Sequence, residues 1–252
     1  MLKIRLTVLA ALLGVLPSIT ILAQISANPA GAVSASSGGP VLSAPYSAKR
    51  RFTSVTKLAD GTISRSESGG SEARDSQGRT YSAGERQWTY FDGKKNVLKS
   101  EMLYRIDDPV AQTEARWDTT SKVVKVIHWT QSASSEDASP TKCPAACDEA
   151  GTNALGDVVE KLGTKTIGGF ITEGTRSSYT VPTGQDHNDH PIVVVHESWY
   201  CPELKIVILE TNDDPRSGTT RNELIDIVRG EPDATQYRQP AGYVVRELQL
   251  PS

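Results

Sequence analysis

The chain has 252 residues, with 27 Lys and Arg against 30 Asp and Glu, a formal charge of −3 and an apolar fraction of 37%. Such a mildly acidic balance leaves no general footprint for nucleic acid or anionic lipid. The length is enough for one domain to build its own core without disulfide staples.

Lys3 and Arg5 precede an apolar run from Leu6 to Leu16, which Pro17 and Ser18 break before Ile21-Leu22-Ala23. That layout predicts a signal peptide over residues 1–23, because a spanning helix needs about 20 apolar residues. The chain is therefore expected in the periplasm or outside the cell, a retained N-terminal anchor being the alternative. Removing the leader leaves 25 basic against 30 acidic side chains, a charge of about −5. Residues 24–45 are rich in Ala, Ser, Gly and Pro and read as a flexible tether. A single β-rich domain is expected over residues 46–252.

Within that domain, short strand-like runs alternate with turn signals. Lys49–Leu58 ends at Ala59-Asp60-Gly61, and Thr62–Arg74 is followed by Asp75-Ser76-Gln77-Gly78. Arg79–Tyr90 turns at Asp92-Gly93, and Ser100–Ile106 closes at Asp107-Asp108-Pro109. Ala115–Trp117 leads into Lys122–Thr130, which is apolar on both sides and so reads as an interior strand. A polar excursion from Gln131 to Ala150 follows. The spacing of Leu155, Val158, Val159 and Leu162 then predicts a helix over Asn153–Leu162, capped by Thr152 or Asn153 and stopped by Gly163. Strands resume with Thr164–Ile167, Phe170–Val181 and Pro191–Tyr200, and Lys205–Thr211 is expected to pair with Arg221–Val228. The fold class is mainly β: a curved antiparallel sheet, an incomplete barrel, with one principal helix packed on it.

Three cysteines, Cys143, Cys147 and Cys201, allow one disulfide and one spare thiol, with the pairing open. Asp186-His187-Asn188-Asp189-His190 is the cluster densest in metal-capable groups, and Asp186, His187 and His190 are the candidate ligands. A solvated turn is the competing reading of the same residues. His196, Glu197 and Ser198 do not make a hydrolytic triad, because neighbours in a strand point to opposite faces and no nucleophile elbow is present. Asp213-Asp214-Pro215-Arg216-Ser217-Gly218 lacks the acid spacing of a calcium loop. No catalytic residue and no cofactor is therefore expected.

Three segments resemble one family when taken together: Leu162-Gly163-Thr164-Lys165-Thr166-Ile167-Gly168-Gly169, Trp199-Tyr200-Cys201-Pro202-Glu203-Leu204, and Ile227-Val228-Arg229-Gly230-Glu231-Pro232-Asp233 with Tyr237, Pro240 and Tyr243. They resemble the second half of exported bacterial proteins related to the periplasmic lipoprotein carriers (LolA/LolB-like). Leu58-Ala59-Asp60-Gly61-Thr62 and Arg74-Asp75-Ser76-Gln77-Gly78-Arg79-Thr80 are similar to exported proteins of acidobacteria. The resemblance implies an incomplete barrel whose concave face is covered by helices and holds acyl chains. It makes a lipid or a lipoprotein the expected partner of a non-enzymatic binding module. A protein-interaction or sensing module of the envelope is the alternative, and a metal-assisted hydrolase using His187 and His190 the third reading.

Overall fold

The computed structural model of the protein describes residues 40–129, 151–152 and 157–249. Six strands form a first antiparallel meander: β1 (Tyr46–Lys57), β2 (Ile63–Arg74), β3 (Thr80–Phe91), β4 (Asn96–Asp108), β5 (Thr113–Asp118) and β6 (Val123–His128). A second follows with β7 (Gly151–Thr152), β8 (Val158–Ile167), β9 (Phe170–Val181), β10 (Ile192–Cys201), β11 (Ile206–Asp214) and β12 (Gly218–Arg229). β12 comes back to pair antiparallel with β1, and β13 (Val244–Gln249) adds to the outside of β6 in the parallel sense. The described strands make one curved sheet of 13, in the order β13-β6-β5-β4-β3-β2-β1-β12-β11-β10-β9-β8-β7, which does not close into a barrel.

Aspartates set the hairpins. The carboxylates of Asp60, Asp92, Asp108, Asp118 and Asp214 each accept a backbone N–H from two residues further on, at 2.8–2.9 Å. An acceptor that reaches back to its own turn competes well with strand pairing, so the chain reverses there.

The expected helix over Asn153–Leu162 is not formed. Val158 to Leu162 belong to β8, which pairs with β9 from Val158↔Ser178 to Ile167↔Phe170, while residues 153–156 lie outside the described part. Over so few residues a helical spacing and a strand cannot be told apart, and a complete ladder beside β9 decides the matter. Gly163, read as a helix stop, sits at φ +78° where the β8–β9 register shifts. It is a bulge glycine. Among the described residues there is no α-helix, only a 3-10 turn, Ala234–Tyr237, capped by the Asp233 carboxylate accepting from Thr235 N at 2.8 Å. No described helix is long and apolar enough to cross a membrane. Cys143 and Cys147 fall outside the described residues, and Cys201 is a buried free thiol.

With no α-helix among the described residues, the sheet buries opposite faces at its two ends. One core joins Tyr46, Ala48, Phe170, Cys201, Leu204, Ile208 and Leu224. The other joins Ile106, Ala115, Trp117, Val124 and Val126, with Tyr81, Tyr104, Tyr237 and Tyr243 packed on it. Register shows the change of side. Tyr46 shares a face with Arg74, Thr80 and Asp107, whereas Ile106, beside Asp107 in β4, points the other way.

Buried charges seal the first core. The Arg74 guanidinium donates to Ala44 O at 2.9 Å and to Leu204 O. Glu72 accepts from Tyr46 Oη and from Arg50 Nε, both at 2.7 Å. On the face away from this core, Glu223 is 8% exposed and bonded to Arg221 at 2.6 Å and to Arg51 Nε at 2.7 Å. Arg221 above all, then Arg51, holds its carboxyl below the usual glutamate range against the opposing effect of burial. A depressed folded-state pKa means that the stabilisation is present above the unfolded value of about 4.3 and fades as pH falls through the folded one.

Two expected outcomes follow from this packing. The unfolding free energy lost in Glu223→Gln should be largest at pH 7 and should shrink below about pH 4, as measured by urea titration at several pH values. A loss that stayed constant down to pH 3 would show that the carboxylate charge is not what matters. At Gly70, which faces Gly84 across β2 and β3, an added Cβ would lie 2.3 Å from Ala83 O. Gly70→Ala is therefore expected to cost about 1–3 kcal/mol in the same titration, as other overpacked sites do.

Candidate functional site

The glycine pair Gly70↔Gly84 marks the last contact between β2 and β3. On the other side, β5 accompanies β4 only from Leu103 to Asp108. The β3–β4 pairing nevertheless continues from Thr80↔Asp107 out to Phe91↔Asn96. Residues 85–91 and 96–101 therefore form a two-stranded ribbon that leaves the sheet and extends roughly 20 Å at the usual strand rise. Its turn is held by Asp92, whose carboxylate accepts from Lys94 N and Lys95 N, with Gly93 at φ +93°. At its root Arg86 pairs with the buried Glu101.

Strand alternation gives the ribbon two faces. One carries Arg86, Trp88 and Tyr90 opposite Glu101, Lys99 and Val97. On it the Arg86 guanidinium lies 5.5 Å from the Trp88 ring, and Lys99 Nζ 5.0 Å from that of Tyr90. The other carries Thr89 and Phe91 opposite Leu98 and Asn96. Phe91 is 65% and Leu98 64% exposed, and Tyr90 is exposed as well. A two-stranded hairpin is marginal by itself, and this one leaves Tyr90, Phe91 and Leu98 to solvent. Lys94, Lys95 and Lys99 surround them, against the single acid Asp92 beyond the root. The sequence held the signal, an aromatic pair followed by three lysines within six residues, but the chain's net charge concealed it.

A second feature lies on the face that buries Ile106 and Trp117. The segment after β12 crosses β3–β6 and leaves a cleft of about 260 Å3. Tyr81, Tyr104, Trp117 and Thr119 line it on the sheet side, Thr235, Gln236, Arg238, Pro240 and Tyr243 on the strap side. Tyr104 and Trp117, cross-strand partners, stack at 5.3 Å with ring planes 7° apart. Tyr237 stands beside it under the Arg79 guanidinium at 4.9 Å, and burial pushes its phenol well above the usual range. The cleft has no Val, Leu or Ile among its lining residues.

The sequence-derived metal candidates lie in the loop between β9 and β10. Asp186 is engaged by Arg216 at 2.8 Å, and His187 adopts φ +58°. The Asn188 amide donates to Pro182 O at 2.9 Å and His190 O at 2.7 Å, which knits the turn together. His190 points its Nδ1 at Asp189 O, 2.7 Å away, and its side chain is largely solvated. Among the described residues no group of three or more His, Cys, Asp or Glu side chains converges as a metal would need. His196 contacts Glu210 at 3.3 Å and His128 contacts Glu247 at 2.5 Å, each across neighbouring strands.

No family model and no curated protein matches the chain. Among solved structures it is similar to LprF from Mycobacterium bovis, at 12% identity and a TM-score of 0.32, over 79% of this chain and 90% of that one. It is also similar to a putative outer membrane lipoprotein-sorting protein domain from Vibrio parahaemolyticus, at 9% identity and a TM-score of 0.26, over 77% and 88% of the two chains. A DUF1329 family protein from Desulfovibrio piger matches at 11% identity and a TM-score of 0.23, over 77% and 89%.

Proposed function

We propose that the protein is an exported, non-enzymatic binding module of the cell envelope that engages amphiphilic partners, lipid or lipoprotein, through the β3–β4 ribbon. The observation that carries this reading is the exposure of Tyr90, Phe91 and Leu98 on a ribbon without sheet neighbours among the described residues, ringed by Lys94, Lys95 and Lys99. Aromatic rings partition to the boundary between headgroups and hydrocarbon. Each lysine near an anionic surface adds about 1 kcal/mol. The remainder of the chain is acidic, so an anionic surface repels the body and attracts the tip. The resulting orientation is tip first.

The leader-like sequence before residue 24 supports export. An interaction module built on strand addition is the second reading. Its support is β8, which from Glu160 to Ile167 has β9 on one side and no strand on the other among the described residues.

The ribbon reading is checked by co-sedimentation with vesicles of phosphatidylcholine alone and of phosphatidylcholine mixed with phosphatidylglycerol. Binding is expected to the mixed vesicles and to fall with salt. The variant carrying Lys94→Glu, Lys95→Glu and Lys99→Glu should lose it at least about tenfold, and Phe91→Ser with Leu98→Ser should do the same at unchanged charge. Equal binding by all three proteins would dismiss the ribbon as the contact.

A further inference from the structure

We infer that the outer edge of β13 takes up an extended segment of another protein as an added strand. That segment carries an acidic residue with an apolar residue two positions away on each side. β13 is the outermost strand of the described sheet and runs from Val244 to Gln249 without a register shift, a proline or a residue at positive φ. Val244 N donates to Lys122 O at 3.0 Å, so alternation turns the backbone N–H and C=O groups of Val245, Glu247 and Gln249 away from β6. A row of outward-facing groups of this kind is a template for one more strand. Beside it, Val244 is 60% and Leu248 43% exposed.

Charge selects the occupant. Arg105 lies opposite Arg116, Arg116 opposite Lys125 and Lys125 opposite Arg246, so four adjacent strands carry cations in line. The row faces away from the second core, because Ile106, Ala115 and Val124 take the other side. Like charges directly opposite one another destabilise a sheet, and nothing in that core requires them. Burial first, and then the Arg105 charge, pulls the Arg116 guanidinium below its ordinary range. Asp107 and Glu114 answer Arg105, and Glu114 answers Arg116. The acids stop there. Lys125 and Arg246 have no ion pair among the described residues, and Val123↔Val244 and Ile127↔Leu248 border them instead. A strand added beyond β13 puts one residue opposite Arg246 on the same face, and a carboxylate there ends the row. The residues two positions to either side of it meet Val244 and Leu248, in either chain direction.

Two other occupants fit less well. A two-fold pairing of β13 with a second copy keeps every side chain on its own face, so only registers joining residues of equal parity are open. Those centred on the edge set Arg246 against Arg246 or Glu247 against Glu247, like against like. The stretches of sequence outside the described residues contain no acid with Val, Leu, Ile or an aromatic residue two positions away on both sides. The partner is therefore a different chain, for which β13 supplies both the ladder and the discrimination.

The test is fluorescence anisotropy on the full chain with a labelled peptide, Thr-Val-Thr-Glu-Thr-Val-Thr, and the same peptide with lysine in place of glutamate. Two further versions of the glutamate peptide are N-methylated at alternate residues, in opposite phase. The parent is expected to bind the glutamate peptide at least about tenfold better than the lysine peptide. One N-methylated version should lose binding and the other keep it, because only one edge of the added strand meets β13. Arg246→Glu should reverse the charge preference. Val245→Pro, which removes one outward N–H and spares the bonds to β6, should weaken the glutamate peptide about tenfold. Both positions lie on the margin of the sheet, and unchanged melting curves would establish that the variants fold. No binding of the glutamate peptide, equal binding of the two charges, an unreversed preference in Arg246→Glu, or the same result for both N-methylated versions would overturn the assignment. So would a parent dimer that Val245→Pro makes monomeric, since the edge would then belong to a second copy. The lysine-to-glutamate ribbon variant should bind the peptide like the parent, so the ribbon and the edge stand or fall separately.

Discussion

The second core exists because the chain returns to it. β3–β6 place Tyr81, Ile106, Trp117 and Val124 on a face with no α-helix above it among the described residues, and a single sheet left so would expose a broad apolar area. The strap after Arg229 answers this with Tyr237 and Tyr243, and it stays in place because β13 pairs with β6 from Val244↔Val123 to Gln249↔His128. Parallel pairing is otherwise absent from the described sheet. It permits the strap to run the length of the covered strands before the chain turns back along the edge. The cleft is what this cover leaves unfilled.

The first core depends on a different device. Its lid is a turn around Leu204, tied to β2 by the Arg74 guanidinium, which loses ordinary hydration on burial and sees its pKa pulled down for that reason. Five N–H donors in a planar fork can satisfy two carbonyls at once, from Ala44 and Leu204. A lysine at this position would reach the same carbonyls with a more strongly hydrated charge and no fork. Two cores on opposite faces therefore use two kinds of cover: aromatic packing at one end, a buried guanidinium at the other.

Much of the sheet was legible from turn chemistry. Asp60-Gly61, Asp92-Gly93 and the Asp214–Gly218 hairpin lie where the sequence places them, because aspartate and glycine act on the local backbone. The Asn153–Leu162 helix was misread for the opposite reason. Val158, Val159 and Leu162 satisfy a helical spacing, but their fate is decided by β9, which begins eight residues beyond Leu162 in the chain. The ribbon was legible as two strands and a turn, and illegible as a projection, since that depends on where β2 and β5 stop pairing. The cleft was hidden further still. Tyr237, Pro240 and Tyr243 stood out only within a resembling motif, and no local rule places them above Tyr104 and Trp117.

The pairing of β1 with β12 has a kinetic meaning. Tyr46 meets Arg229 and Val123 meets Val244, so the middle of the sheet and one of its margins both join segments more than a hundred residues apart. Closing such long loops carries an entropic cost and slows barrier crossing. A chain emerging N-terminus first can zip each meander as it appears, yet it cannot unite them until the twelfth strand has been synthesised. Until then each meander lacks its partner, and the first core, which joins Tyr46 to Phe170, Ile208 and Leu224, cannot form.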